Sequence, residues 1–120
     1  MDPFDDRSPI YLQIADQIRE GILSGELQEE SQIMSTTQYA TTYRINPATA
    51  AKAMNLLVDD GLITKRRGLG MFVAEGAHAQ LVRELRSGFF QETLQPALDR
   101  AGMLGITADD LIDYIRGTSS

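Results

Sequence analysis

An Asn-Pro pair directly before a stretch of periodic apolar residues is the feature that most restricts the fold of this chain. Asn46 is suited to cap a helix, because its side chain can accept a hydrogen bond from a backbone N–H that the helix leaves unsatisfied. Pro47 suits the first helical position, where its missing N–H is not needed. The sequence therefore predicts a helix that begins at Pro47, with Gly61 as the left-handed residue after its end.

The predicted helix has one apolar face and one face of small, polar and cationic residues. At about 100° per residue, the apolar positions fall on one side, at Ala50, Ala53, Met54 and Leu57. The opposite side carries Ala48, Thr49, Lys52 and Asn55. Small side chains permit close approach and polar ones reach base edges or phosphates, so the second face is suited to a DNA major groove.

A basic hairpin is predicted directly after this helix. Residues 62–65 and 71–73 are predicted strands, and the turn between them is Arg66-Arg67-Gly68-Leu69-Gly70. Glycine lets the backbone approach a phosphate or enter a minor groove. A basic hairpin tip alone is usually a solvated turn, but the order helix, turn, helix, basic hairpin indicates a wing.

Two earlier helices and a short strand complete the predicted domain. The first helix follows Ser8 as N-cap and Pro9, with isoleucines at every fourth position from residue 10 to 22, and it closes the core. The second follows Ser35 as N-cap. Its Tyr39 and Tyr43 could stack on bases, but core positions are expected. A strand at residues 31–33 would join the wing sheet, and the first seven residues are expected to be a polar, mobile lead-in.

These segments resemble the winged helix-turn-helix domain of the GntR family of bacterial transcription regulators. The resemblance runs from about residue 8 to 75 and is carried by PIYLQI at 9–14, ILSGEL at 22–27, LVDDGLI at 57–63 and GLGMFV at 68–73. Asn46-Pro47-Ala48-Thr49 is similar to the Asn-Pro-x-Thr helix start of the YtrA subfamily, which the short tail also fits. The expected fold is mostly α with a small antiparallel β wing. A winged helix-turn-helix domain would span residues 1–75, and a helical dimerisation tail residues 76–120.

The chain departs from the family pattern where the second helix begins. Family members usually carry Pro-Ser-x-Arg-x-Leu-Ala there, and this chain has MSTTQYA at 34–40. Thr37 replaces an arginine that typically helps hold DNA, and Pro47 stands where many members outside the YtrA subfamily have another arginine. The departures affect the expected affinity and operator sequence but not the expected fold.

The tail is predicted to contain two amphipathic helices. Pro96 is expected to kink or restart the first, and Thr107-Ala108-Asp109-Asp110 resembles a capping box at the start of the second. So small a domain cannot bury both apolar faces, so we expect homodimerisation, which the resemblance also implies. The alternative is an intramolecular hairpin packed on the first helix. The expected dimerisation residues are Leu81, Leu85, Phe89, Phe90, Leu94, Leu111, Ile112 and Ile115.

The expected function is that of a sequence-specific transcription regulator, a repressor, that binds a two-fold symmetric double-stranded DNA operator as a homodimer. The recognition helix would enter the major groove, the wing would touch the backbone or minor groove, and the start of the second helix would meet phosphates. The expected DNA-binding residues are Ser35, Thr36, Thr37, Arg44, Asn46, Ala48, Thr49, Lys52, Lys65, Arg66, Arg67, Gly68 and Gly70.

The net charge of −6 argues against DNA binding. The acidic residues gather at the N-terminus, at residues 26–30 and in the tail, whereas cations lie in the expected reading surface. Because DNA affinity depends on the local electrostatic field at the contact surface, DNA binding is still expected, with a strong dependence on salt concentration. The alternative is a winged-helix protein–protein interaction module without DNA binding.

Enzyme activity is not expected. The chain has no cysteine and one histidine, His78, so neither a metal cluster nor a His-based triad is indicated, and no cofactor is expected. A small hydrolase or metal enzyme is the third hypothesis.

The acidic N-terminus is not a signal peptide and no segment is apolar enough for a membrane, so a cytoplasmic protein is expected. The tail is too short for a large metabolite pocket, and any small-molecule effector is unknown.

Overall fold

Capping side chains, prolines and glycines set the ends of the elements in the computed structural model, which describes residues 4–118. The chain divides into two compact units, and the division falls between Val82 and Arg83. The helices are α1 (Ile10–Ser24), α2 (Thr36–Tyr43), α3 (Pro47–Asp59), α4 (Ala77–Phe89), α5 (Gln95–Met103) and α6 (Ala108–Thr118). The strands are β1 (Gln32–Ile33), β2 (Ile63–Arg66) and β3 (Gly70–Val73).

Local capping confirms the predicted starts of α2 and α3. The Asn46 side chain accepts a hydrogen bond from the backbone N–H of Ala48 at 2.8 Å, and Pro47 is the first residue of α3. Ser35 caps α2 through its hydroxyl, which accepts from the N–H of Gln38 at 3.1 Å. The start of α1 differs from the expectation by one residue. Pro9 is its N-cap, without a side-chain cap bond, so Ser8 does not cap this helix.

The three strands form one antiparallel sheet in the order β1-β3-β2. The predicted third strand is confirmed, because Gln32 pairs with Phe72 and Ile33 with Met71. Alternation along the strands puts Ile33 and Met71, which are buried, on the inner face of the sheet. Gln32 and Phe72 therefore share its outer face.

The core of the first unit lies between α1, α3 and the inner face of the sheet. The buried face of α3 consists of Ala50, Ala53, Met54 and Leu57, each at most 1 % exposed. Ile14, Ile18 and Ile22 of α1 belong to the same cluster, as predicted. Each side chain on these two faces loses nearly all its contact with water, which is the largest favourable contribution to a fold of this size.

The two ends of the predicted α1 periodicity differ from expectation. Ile10, at the first turn, is 38 % exposed and lies outside the core. Phe4 is buried instead and meets the Tyr43 ring edge to face at a centroid distance of 5.8 Å. The expectation of a polar, mobile lead-in is therefore wrong at Phe4, and residues 1–3 lie outside the described part of the chain.

The sequence predicts a kink or a restart at Pro96, and in the structure α5 begins at Gln95, directly before this proline, without a break in the helical backbone. Residues Phe90–Leu94 between α4 and α5 form a π-helical segment. A proline removes one backbone donor and crowds the carbonyl one turn before it. The wider π-turn includes Glu92, four residues before Pro96, so the irregular turn lies where a proline would crowd the backbone.

The capping box predicted for α6 is confirmed. Asp110 accepts from the backbone N–H of Thr107 at 3.0 Å, and the Thr107 hydroxyl accepts from the N–H of Asp110 at 3.1 Å. The backbone N–H of Thr107, and second its side chain, hydrogen-bond to the Asp110 carboxyl and lower its pKa, since they favour the ionised form. The shorter Asp side chain therefore serves where Glu or Gln is usual.

The second unit exposes most of its large apolar side chains. Leu85 is 51 % exposed, Phe90 69 % and Ile115 58 %.

Leu81 differs from the other predicted dimerisation residues, because it is 2 % exposed and packs in the core of the first unit with Ala77. Its assignment as a dimerisation residue is therefore incorrect, since its side chain has no surface left for a second chain.

Replacing Leu57 by Ala tests the assignment of the α3 face to the core. Leu57 is fully buried, so we expect Leu57→Ala to lower the free energy of unfolding by about 2–5 kcal/mol, measured by urea denaturation. Leu69→Ala is the matched control, because Leu69 is 65 % exposed and its truncation is expected to change stability by no more than about 0.5 kcal/mol. Equal losses in the two variants would contradict the packing described here.

Candidate nucleic-acid interface

A concave surface of about 420 Å³ lies between the start of α2, one side of α3 and the wing hairpin. We call it the groove. The structure thus brings together seven of the thirteen predicted DNA-binding residues from two separate parts of the sequence. They are Ser35, Thr36 and Thr37 from the start of α2 with Lys65, Arg66, Gly68 and Gly70 from the wing.

The start of α2 offers fewer donors to the groove than predicted. The backbone N–H of Ser35 donates to Oε1 of Gln38 at 2.8 Å, which completes a capping box with the Ser35 hydroxyl. The Ser35 N–H is therefore already bonded and is not a free phosphate donor. Thr36 and Thr37 occupy the first turn of α2, where helix geometry provides no intrahelical acceptor for the backbone N–H.

The outer side of α3 forms a second group of predicted residues beside the groove. Asn46 and Ala48 are exposed, and Thr49 is half-buried. The Lys52 ammonium lies 4.1 Å from the centroid of the Tyr11 ring of α1, within the range of a cation–π interaction. Tyr11 is not among the predicted interface residues, and the contact links the exposed Lys52 side chain of α3 to α1.

The wing carries its cations on both faces of the sheet. Lys65 pairs with Met71 and shares the inner face. Arg66 lies on the outer face, where its guanidinium stands over the Phe72 ring at 4.2 Å from the centroid. Arg67 is exposed at the turn. Gly68 has a φ of 77°, a left-handed conformation that side-chain-bearing residues rarely adopt, which explains glycine here.

Charge is unevenly distributed along the first unit. Residues 31–73 contain five cations and two acidic residues, whereas residues 1–30 contain two cations and eight acidic residues. Asp60, one of the two acidic residues in this segment, pairs with Arg19 of α1 at 2.7 Å. The segment from β1 to β3 is therefore locally positive in a chain of net charge −6. Arg44 belongs to this segment and is exposed at the end of α2.

Tyr39 is a core residue rather than a platform for bases, as predicted. It is 7 % exposed, and its hydroxyl donates to Oε1 of Gln17 at 3.3 Å. Burial, together with the neighbouring Tyr43, raises the pKa of Tyr39 to about 12. The phenol therefore remains a neutral hydrogen-bond donor at physiological pH, which suits a fixed contact between α1 and α2.

Among the described residues, Asn55 is the one polar residue of the groove that is absent from the predicted DNA-binding set. Asn55 is exposed on α3 and lines the groove opposite the wing. Its place on the polar side of the helix, three residues after Lys52, was visible in the sequence. The sequence did not reveal that Asn55 lies beside the hairpin. This neighbourhood depends on how the sheet packs against α3.

Residues 4–118 form neither a metal-binding cluster nor a membrane-spanning helix. Within this range, His, Asp and Glu side chains form no group of three suited to a metal ion. None of the helices described has the length and apolar character needed to cross a membrane.

The family follows from comparison with known proteins. Residues 10–73, more than half of the chain, match the family described as bacterial regulatory proteins, gntR family. The chain belongs to the GntR family. Its members are transcription regulators rather than enzymes, so the predictions of the family and of a non-enzymatic protein are confirmed.

Two relatives from Bacillus subtilis (strain 168) match almost the whole chain. The HTH-type transcriptional regulator YhcF is 32 % identical over 94 % of this chain and 92 % of its own length. The HTH-type transcriptional repressor YtrA is also 32 % identical, over 94 % of this chain and 86 % of its own length. Among solved structures, the DNA-binding domain of AraR in complex with operator ORR3 is 26 % identical, with a TM-score of 0.53, over 62 % of this chain and 92 % of that one.

Substitutions at Asn46 separate its capping role from any role in DNA binding. Asn46→Ala removes the acceptor for the Ala48 N–H, and we expect it to lower the free energy of unfolding by about 1 kcal/mol. Asn46→Asp keeps a capping oxygen, so its unfolding free energy is expected to stay near that of the wild type. Thermal and urea denaturation measure both variants, and equal destabilisation would show that the side-chain cap does not hold α3.

Proposed function

We propose that this chain is a homodimeric transcription repressor that binds a two-fold symmetric operator in double-stranded DNA. The observation that carries the proposal is the groove, which joins the start of α2, Asn55 of α3 and the basic wing on one side of the first unit. The operator complex of the similar AraR domain supports DNA as the partner. The YtrA relative, named as a repressor, supports repression.

The outer side of α3 is the element proposed for the major groove. Ala48 is small and exposed, so the helix start can approach base edges closely. Thr49, Lys52 and Asn55 supply a hydroxyl, an ammonium and an amide along the same helix. The amide group of Asn46 adds a donor, because its oxygen alone serves the cap.

Phosphate contacts are proposed on both sides of α3. Thr36 and Thr37 would offer hydroxyl and first-turn N–H donors at the start of α2. Lys65, Arg66 and Arg67 would neutralise phosphates from the wing, and Gly68 and Gly70 would permit close backbone approach. Arg44 would contact the backbone from the turn between α2 and α3. Electrostatic contacts of this kind hold the protein in register but do not read sequence.

The second unit is proposed as the dimerisation element. Among residues 4–118, fourteen large apolar side chains are exposed. Ten of them lie in the second unit, after residue 82. A monomeric protein rarely leaves so much apolar surface in water, and a second copy of the same helices would cover it. The residues proposed for this contact are Leu85, Phe89, Phe90, Leu94, Leu111, Ile112 and Ile115.

Operation in the cytoplasm is part of the same proposal, because operator DNA and the transcription machinery are located there in bacteria. Within residues 4–118, no side chain identifies a small-molecule effector. The protein–protein interaction module remains the second candidate function, favoured by the net charge of −6 and by Thr37 in place of an arginine.

DNA binding is tested by fluorescence anisotropy on a labelled duplex from upstream of the protein's own gene, with a scrambled duplex for comparison. Saturable binding that prefers the native duplex is expected. Arg67→Ala is expected to reduce the slope of log K against log salt by about 1, because one phosphate contact is lost. Arg100→Ala, in the exposed part of α5, is the matched control and is expected to keep the wild-type slope.

Two other results would contradict the regulator proposal. Equal reductions of the salt slope in Arg67→Ala and Arg100→Ala would place the DNA surface elsewhere. No binding by the wild type at low salt, to this duplex or to a pool of random duplexes, would favour the interaction module.

Dimerisation is tested by sedimentation equilibrium of wild type and Phe90→Asp. Phe90 is 69 % exposed, so a carboxylate there is not expected to disturb the fold of the monomer, but it would be buried at the proposed contact. We expect Phe90→Asp to weaken the dimer by at least tenfold in Kd, on the order of the cost of burying an unpaired polar group. Gln91→Asp is the control at an adjacent exposed position, and a monomeric wild type would refute the proposal.

A further inference from the structure

The outer face of the wing sheet carries an ordered set of side chains, of which the proposed function uses only Arg66. The strand register places Gln32 of β1, Phe72 of β3 and Thr64 of β2 side by side across this face. Arg66 lies two residues after Thr64 and therefore on the same face. The set connects β1, which is distant in sequence, with the tip of the wing.

Phe72 holds the Arg66 side chain. The guanidinium carbon stands 4.2 Å from the centroid of the Phe72 ring, which is the distance of a stacked cation–π contact. An arginine at an exposed strand end otherwise samples many rotamers. The ring therefore restricts the directions in which Arg66 presents its donors.

Gln32 holds the tip of the hairpin. Its Nε2 donates to the backbone carbonyl of Leu69 at 2.9 Å, across a separation of 37 residues. Gly70 leaves room for this amide, because a Cβ at Gly70 would lie 2.6 Å from Nε2 of Gln32. The bond ties β1 to the turn beyond the last paired residues, Arg66 and Gly70.

We propose that Phe72 and Gln32 are positioning residues for DNA binding, which fix Arg66 and the wing tip in their DNA-contacting arrangement before DNA arrives. The proposal rests on the proposed function, because it takes the wing to be a DNA contact. Ordering a flexible side chain at an interface lowers affinity by about two- to tenfold per side chain. In this chain that ordering is already present in the free protein.

Phe72→Leu tests the proposal that Phe72 fixes Arg66, because it keeps an apolar strand residue and removes the aromatic ring. By anisotropy on the native duplex we expect affinity to fall about two- to tenfold with an unchanged salt slope, since Arg66 still reaches its phosphate. Arg66→Ala is expected to lower the slope by about 1, and in that background Phe72→Leu should have no further effect. Unchanged or tighter binding by Phe72→Leu would mean that Arg66 leaves the ring to reach DNA, and would overturn the proposal.

Gln32→Met tests the proposal that Gln32 fixes the wing tip, and its first readout needs no DNA. Methionine keeps the length of the side chain and removes the donor to the Leu69 carbonyl. We expect backbone ¹⁵N order parameters of residues 67–69 in the free protein to fall below those of the wild type, with a loss of affinity of about two- to tenfold. Gln91→Met, at an exposed position after α4, is the control for the substitution itself.

The outcomes separate this inference from the proposed function. A wild type that fails to bind DNA refutes the proposed function, and the DNA role of Phe72 and Gln32 falls with it. A wild type that binds specifically, while Gln32→Met keeps both its wing order and its affinity, refutes the positioning role alone.

Discussion

The packing of α3 against α1 is the constraint on which the rest of the first unit depends. The buried face of α3 is made of two alanines, a methionine and a leucine, so α1 can approach closely, and Ile14, Ile18 and Ile22 fill the space between them. Because a helix has only one face in the core, this contact decides which residues of α3 remain outside. Ala48, Lys52 and Asn55 are exposed for that reason, whatever they bind. A change in the core that rotated α3 would therefore alter the interface as well as stability.

Local signals in the sequence predicted the starts of α2 and α3 and the end of α3 correctly, whereas the start of α1 and the ends of the wing strands differ by one residue. Asn46 with Pro47 and Ser35 act within a few residues of themselves, so their effects can be read from the chain alone. The glycine after α3 is similar, since a φ of 79° at Gly61 follows from the need to end the helix. The order helix, turn, helix, basic hairpin could also be read from the chain, and the family resemblance agreed with it.

Contacts between distant residues could not be predicted in the same way. The Lys52 contact with Tyr11, the Gln32 bond to Leu69 and the burial of Phe4 each depend on how separate elements pack. The assignment of Leu81 to the tail failed for a related reason. Its helical period was read correctly, but periodicity does not reveal whether an apolar face meets the same unit or another chain. In the structure, α4 begins within the first unit, where Gln80 donates to the Asp60 carbonyl at 2.8 Å.

The acidic composition and the proposed dimer can be understood together. One first unit has five cations between residues 31 and 73 and none at the start of α2, where the family usually has an arginine. Such a unit would bind DNA weakly, and the eight acidic residues before residue 31 would weaken non-specific binding further. Two linked units at a two-fold site act at an effective concentration on the order of millimolar, which raises affinity by about 10²–10⁴-fold without new contacts. A weakly cationic reading surface would then favour specificity, because only sites that engage both protomers are held.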